Sequence, residues 1–366
     1  MNTPEEQWRE YLASELPVIR SILLHYQITL LSEQPHIKGE RFLIQALTTT
    51  SGKKLILLGT DTKTNKTVVI KATADYQGKE ELRHERKCRT LLHSMNFSYE
   101  SFHSPEEIHF IEERGYVLYV GEFIDQSSSF LERPLEEQFS FALRALKAQE
   151  QSRATTAQHL SQVARVFGAR TSENYLLMTE GFIKKVADHG SFDSLTPFLH
   201  EVKNVLTKKR QCIDQYGGFL THTDFVPHNF RIKDGTLYLL DFSSLRFGNK
   251  HESWARFLNF MTLYNPDLEQ LLTNYVNENR AKEERESLHL MRLLRLVEIT
   301  AYYVGTLERS AGNLLELNTA RVYFWCKVLE AEYSGQQIAP DIVEAYKATR
   351  DCLRSSDEKI RQVGLH

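Results

Sequence analysis

After Phe123 the strand pattern of this chain all but ends, and that single change limits what it can fold into. From about Gln27 to Phe123, short β-prone runs follow one another between turn residues: QITLLSE, ERFLIQAL, KLILLGTD, KTVVIKAT, EIHFIEE and YVLYVGEF. One helical segment interrupts them, GKEELRHERKCRTLLHSM, in which Leu82, Cys88, Leu92 and Met95 recur at helical spacing. Beyond Phe123, PLEEQFSFALRALKAQEQ and FDSLTPFLHEVKNVLTKKRQCIDQY read as helices. One hairpin is written at 229–241, and helices dominate to the end. A β-rich part with one helix, followed by a helical part with one hairpin, predicts an α+β fold of two lobes. Residues 1–26 read as a helical N-terminal extension, with Thr3 as N-cap, Pro4 at the first position and Pro17 as a kink or break. The lobes then fall at 27–124 and 125–366.

A chain of 366 residues, 41% hydrophobic and 25% charged, is ordinary for a soluble protein with a substantial core. Its net charge of -3 excludes a nucleic-acid binder held by bulk positive charge. The cluster Lys208, Lys209 and Arg210 reads as a solvated helix face. Cys88, Cys212, Cys326 and Cys352 form neither a CxxC pair nor a disulfide framework, so free thiols in a reducing compartment are expected. The N-terminus lacks the apolar core of a signal peptide. The most apolar helical stretch, LHLMRLLRLVEITAYYVGTL, is broken by Arg292, Arg295 and Glu298 and does not read as a membrane span. The expectation is a cytoplasmic protein without a membrane or nucleic-acid partner.

Chemistry concentrates in GFLTHTDFVPHNFRIKDGTLYLLDFSS, residues 218–244. Asp234-Gly235 is a favoured two-residue hairpin turn. Counting outward from it pairs Ile232 with Leu237 and sets Asn229 opposite Leu240, next to Asp241. An amide oxygen and a carboxylate are hard donors, suited to Mg²⁺ shared with phosphate oxygens and water. Asp224, on the loop leading in, stands near that ion and can accept a proton from a hydroxyl. A solvated loop before a hairpin leaves Asp241 at the strand end unexplained. A zinc site from His222, Asp224 and His228 lacks the HExxH spacing and any nearby CxxC pair.

His-x-Asp-x₄-Asn followed by an apolar run and Asp resembles the catalytic and metal-binding segments of the protein-kinase-like superfamily. The local forms HTDFVPHNF and LYLLDF are most similar to the aminoglycoside phosphotransferase and choline kinase family. That resemblance implies a β-rich nucleotide-binding lobe, residues 27–124, and a helical catalytic and substrate-binding lobe, residues 125–366. It implies ATP and Mg²⁺ as cofactors, with Asn229 and Asp241 holding the metal and Asp224 taking the proton of the acceptor hydroxyl. Lys71, closing TVVIKAT, matches the lysine that binds the α and β phosphates. Its partner is a glutamate on the next helix. Periodicity places both Glu81 and Glu85 on the inward face, and the likeness of LRHERKCRTL selects Glu85. TTTSGKK stands where the phosphate-covering loop belongs, with Ser51 and Gly52 offering a hydroxyl and backbone N–H groups. YVLYVGEFID matches the strand that enters the hinge, where adenine pairs with backbone near Glu122 and Ile124.

The implied activity is ATP-dependent transfer of the γ-phosphate to a hydroxyl of a small molecule, aminoglycoside-, choline- or sugar-like. The rival is a catalytically silent pseudokinase acting as a nucleotide-binding regulator, against which intact Lys71, Asp224, Asn229 and Asp241 weigh. A protein kinase is disfavoured, since no APE segment follows LLDFSS. Three departures stand out: Thr223 where the family often has glycine, DFSSLRFG without the usual residues after the aspartate, and ESWARFL in place of Asp-Leu-Ala. His222 reads as a brace of the loop. Tyr302, Tyr303, Tyr323, Phe324 and Trp325 read as core.

Overall fold

The computed structural model describes residues 4–32, 34, 53–94, 103–153 and 157–354. The expected strand ERFLIQAL, the N-cap Thr3 and the loop residues Ser51 and Gly52 lie outside them.

The smaller lobe begins with α1 (Pro4–His25). It continues through β1 (Ile28–Leu30), β2 (Leu55–Asp61), β3 (Lys66–Thr73), α2 (Tyr76–Ser94), β4 (Glu107–Glu113) and β5 (Tyr116–Glu122). Among the described residues the strands form one antiparallel sheet of five, in the order β1-β2-β3-β5-β4. Alternation sends Leu55, Leu57, Val68, Ile70 and Ala72 into a core completed by Ile111, Leu118 and Val120. The N-terminal helix closes that core with Ile19, Ile22 and Leu23, spaced i, i+3 and i+4. Pro17 does not divide it: α1 runs unbroken across the proline. Burying three large aliphatic side chains, worth about 1.5–3 kcal/mol each, offsets the roughly 3 kcal/mol that an interior proline costs. Where α2 meets the end of β3, Gly78 comes so close that a Cβ would stand 2.6 Å from Thr73 Oγ1 and 2.8 Å from the Lys53 carbonyl. Glycine permits that approach.

The larger lobe is helical, with α3 (Leu135–Gln149), α4 (Ala157–Phe167), α5 (Ser172–Ala187), α6 (Thr196–Lys208) and α7 (Arg210–Gln215) leading to β6 (Phe219–His222). The hairpin follows as β7 (Phe230–Lys233) and β8 (Thr236–Leu239), with Ile232 opposite Leu237 and the Leu240 N–H donating to the Asn229 carbonyl at 2.8 Å. Asp234 and Gly235 both adopt left-handed φ, 50° and 73°, as the two-residue turn requires. A second antiparallel pair, β6 with β9 (Leu245–Gly248), was not expected. Strands of four residues carry too little alternation to be seen in sequence. Helices α8 (Glu252–Tyr264), α9 (Pro266–Asn279), α10 (Lys282–Leu307), α11 (Gly312–Tyr333) and α12 (Pro340–Leu353) complete the lobe.

One apolar cluster underlies the hairpin, where Phe225 and Phe230 meet at 4.8 Å and Phe257 stacks on Phe230. Another surrounds α10 and α11. Tyr303, Phe324 and Trp325 lie in that second core, whereas Tyr302 and Tyr323 are exposed, which corrects the reading of those two. The charges within the apolar stretch of α10 are paired inside the protein: Arg292 with Glu269 and Glu332, Arg295 with Glu298 and Glu252. Among the described residues no helix is long and apolar enough to cross a membrane. All four cysteines are unpaired.

Candidate active site

Lys71 stands on β3 between Ile56 of β2 and Tyr119 of β5, its side chain on the face opposite Ile70 and Ala72. Its Nζ lies 2.8 and 2.9 Å from the two oxygens of Glu85. Leu82, Glu85, Cys88 and Arg89 form the buried face of α2. Arg89 also donates to Glu85, at 2.9 Å, so the carboxylate is fixed from two sides. Glu81 turns to Lys54 instead, at 2.5 Å. Periodicity could not separate the two glutamates; the position of Lys54 just before β2 does.

The opposite wall belongs to the hairpin. Asp241 follows β8 in a left-handed conformation, φ 57° and ψ 59°, which aspartate tolerates better than most residues. Ser243 and Ser244 donate hydroxyls to its two oxygens at 2.5 and 3.1 Å. Burial works to raise the Asp241 carboxyl, but the Lys71 charge and the Ser243 hydroxyl outweigh it and hold the group below the usual carboxylate range. Lys71 therefore acts on Asp241 across the cleft while bonded to Glu85. Asn229 donates through Nδ2 to the Asp224 carbonyl at 2.8 Å and to Asp224 Oδ2 at 3.0 Å. Its Oδ1 accepts no hydrogen bond from the described residues.

These groups fit a divalent ion by the chemistry of their donors: an amide oxygen left over and a carboxylate kept ionised are what a hard cation takes. Among the described residues no cluster of three His, Cys, Asp or Glu side chains could hold a metal, so His222, Asp224 and His228 do not form the zinc site considered above. His222 is wholly buried, and burial, opposed by Asp241 and Asp224, keeps its pKa below the ordinary 6.5. The imidazole lies with Nε2 at 3.0 Å from the Asp241 carbonyl and 3.2 Å from that of Leu240. A proton on that nitrogen ties the loop to the end of the hairpin.

Several residues around Asp224 carried no readable role. Ser253, in the segment ESWARFL, accepts the His222 N–H at 2.8 Å, donates to the His222 carbonyl at 3.1 Å and meets Thr221 Oγ1 at 2.8 Å. Arg295 of α10 donates to the Thr223 carbonyl. Arg256 of α8 donates to Asp224 Oδ1 from Nε and Nη2, at 3.2 and 2.9 Å. The unusual form of ESWARFL was the only signal for the first and third, and Arg295 was marked only as a charge within an apolar helical stretch. Ser253→Ala strands the His222 N–H inside the protein and is expected to lower stability by about 2 kcal/mol in urea denaturation. A change below about 0.5 kcal/mol would mean that the loop is braced elsewhere.

At the end of β5, the Glu122 N–H is donated to the Glu106 carbonyl at 2.9 Å. The Ile124 side chain is buried, and among the described residues its peptide groups make no hydrogen bond. The Glu122 N–H is thus already spent, and among the described residues the Ile124 N–H is not.

No protein-family model matches the chain, and no curated protein does. Solved structures do. Spectinomycin phosphotransferase with ADP and spectinomycin is 16% identical, with a TM-score of 0.52 over 91% of this chain and 98% of its own. Amicoumacin kinase with AMP-PNP and Ca²⁺ is 14% identical, with a TM-score of 0.52 over 92% and 99%. An aminoglycoside phosphotransferase, APH(2")-IIia, with GDP and kanamycin is 12% identical, with a TM-score of 0.53 over 81% and 98%. The fold is that of the aminoglycoside phosphotransferases. Within this phosphotransferase fold, a β-rich lobe presents Lys71 and Glu85 and a helical lobe presents Asp224, Asn229 and Asp241.

Proposed function

We propose that this chain is an ATP-dependent phosphotransferase that moves the γ-phosphoryl group to a hydroxyl of a small molecule. The observation that supports it most is the position of Lys71, which a glutamate of its own lobe holds while its charge keeps Asp241 of the other lobe ionised. In this reading residues 27–124 bind the nucleotide and residues 125–366 carry the catalytic and acceptor sites. Lys71, fixed by Glu85 and Arg89, aligns the α and β phosphates. The free peptide of Ile124 receives the base. Asn229 Oδ1 and Asp241 would hold a divalent ion, Mg²⁺ by donor type, which when bound would offset charge developing on the transferred group. Asp224 orients the acceptor hydroxyl and takes its proton. Alignment and fixed charge supply most of the acceleration, because the transition state of phosphoryl transfer is loose. Unpaired cysteines fit a reducing compartment, the cytoplasm.

Asp224→Asn tests the reading. It keeps the shape of the side chain but removes the proton acceptor. Transfer is expected to fall on the order of 10²-fold, read as ATP consumption over a panel of hydroxylated metabolites and antibiotics. Mg·ATP binding, followed by thermal shift, is expected to stay near that of the unaltered protein. Undiminished transfer removes the base assignment, and a nucleotide shift without turnover on any hydroxyl favours a pseudokinase regulator.

A further inference from the structure

Arg256 has no task in the mechanism above, yet it touches the group assigned to take the proton. It lies on α8 three residues after Ser253, and its guanidinium closes on Asp224 Oδ1 through Nε and Nη2. The pair is partly exposed, with side chains 14% and 31% accessible. The third nitrogen, Nη1, makes no hydrogen bond to the described residues and is not sealed from solvent. The nearby Arg295 is compensated by Glu252 and Glu298, so its charge is spent locally. No carboxylate other than Asp224 pairs with Arg256 among the described residues.

Two consequences follow from this charge balance. A carboxylate paired with a guanidinium is close to neutral from a distance, so Asp224 does not present the lone negative charge that gathers a cationic acceptor. A hydroxyl within hydrogen-bonding reach of Asp224, about 2.7 Å, also lies within roughly 6 Å of the guanidinium. An ammonium group beside that hydroxyl meets a like charge in a partly dry cleft, whereas an oxyanion meets open donors arranged as a fork.

We propose that Arg256 selects the acceptor: the hydroxyl compound carries an oxyanion, carboxylate or phosphate, a few bonds from the reacting oxygen, and Arg256 Nη1 holds it. The inference rests on the phosphotransferase reading and names its substrate class. The hydroxyl loses its proton to Asp224, its oxygen bonds to the γ-phosphorus, the bond from that phosphorus to the bridging β,γ oxygen breaks, and ADP leaves with that electron pair. Arg256 takes no part in these transfers; it fixes where the acceptor lies.

The test is transfer from radiolabelled ATP to matched hydroxyl compounds of three to six carbons, each as carboxylate, phosphate ester, neutral amide and amine. For the shortest set these are glycerate, glycerol 3-phosphate, glyceramide and 3-aminopropane-1,2-diol. Transfer is expected only to members bearing an oxyanion, and the carboxylate and phosphate arms show which one. Arg256→Gln is expected to lower kcat/KM for those members at least tenfold, mainly through KM, with Mg·ATP affinity unchanged. Arg256→Lys keeps the charge without the fork and is expected to recover part of the loss. Transfer that favours amines or amides, no transfer to any member by protein that phosphorylates another hydroxyl compound, or indifference to Arg256→Gln overturns the inference alone. Failure of the unaltered protein to bind Mg·ATP, or binding without turnover on any hydroxyl, overturns the phosphotransferase reading and this inference with it.

Discussion

Asp241→Asn is expected to lower phosphoryl transfer by about 10³-fold, the largest loss of activity from any single change in this cleft. The substitution is close to isosteric, and asparagine accepts the left-handed backbone that position 241 adopts, so the fold is expected to survive. What disappears is charge. Asp241 is the acid that Lys71 faces across the cleft, and the hydroxyls of Ser243 and Ser244 are turned toward it. An amide oxygen still offers a lone pair but gives a divalent ion no neutralising charge. Two consequences separate this loss from simple unfolding. Calorimetric binding of Mg·ATP weakens sharply while the urea midpoint changes little, and nucleotide binding loses its dependence on the divalent ion. The acid side of the stability profile changes as well. A carboxyl held below its usual 3.8 in the folded protein contributes stability above that value, and loses it as pH falls through the lower folded value. In the asparagine variant that acid-side contribution is absent. Binding of Mg·ATP at unaltered strength by the variant would remove Asp241 from the metal site.

The parts of this cleft legible in sequence are those governed by local rules. Asp234-Gly235 needs left-handed φ at both positions, and once the turn is fixed the register carries Asn229 to the residue beside Asp241. Lys71 closes the run TVVIKAT and was marked by the family resemblance; in the structure strand alternation sets it on the face away from Ile70 and Ala72. Glu81 and Glu85 share a helix face, being four residues apart, and only the distant Lys54 separates them. Ser253, Arg256 and Arg295 were illegible for the same reason in stronger form. Each acts on residues 221–224 from a helix 31 to 72 residues further along, and no periodicity within α8 or α10 records which loop those helices will cross. The pair β6–β9 escaped notice because two runs of four residues hold too few alternations, and their partnership is decided by the turn between Asp241 and Leu245. Pro17 shows the converse: a residue that often ends a helix sits inside one whose other face is buried.

Glu252→Ala is expected to cost the most stability of any single change near the site, about 3–5 kcal/mol, with a fall in Tm of roughly 4–7 °C. The carboxylate is wholly buried at the start of α8. It accepts from Arg170 Nη1 at 2.6 Å, from the Tyr175 hydroxyl at 2.8 Å and from Arg295 Nη1 at 3.5 Å. A buried ion pair adds little over a well-packed apolar core, because desolvating both charges offsets most of their attraction. Removing one member differs in kind: Arg170 and Arg295 stay largely buried with less negative charge to face, and the Tyr175 hydroxyl loses its acceptor. Tyr175→Phe removes a single hydrogen bond and is expected to cost only about 1 kcal/mol. Glu252→Gln keeps the volume and an acceptor oxygen, so it should fall between the two. The damage is expected to reach the reaction, because Arg295 also donates to the carbonyl of Thr223, one residue before Asp224. Without Glu252, that guanidinium is held by Glu298 alone, and the loop it anchors loosens. Melting curves of the three variants in parallel decide the matter. A ranking in which alanine costs no more than phenylalanine would show that the network does not hold α8 to the loop, and the rigidity of Asp224 would then rest on Ser253 and Arg256.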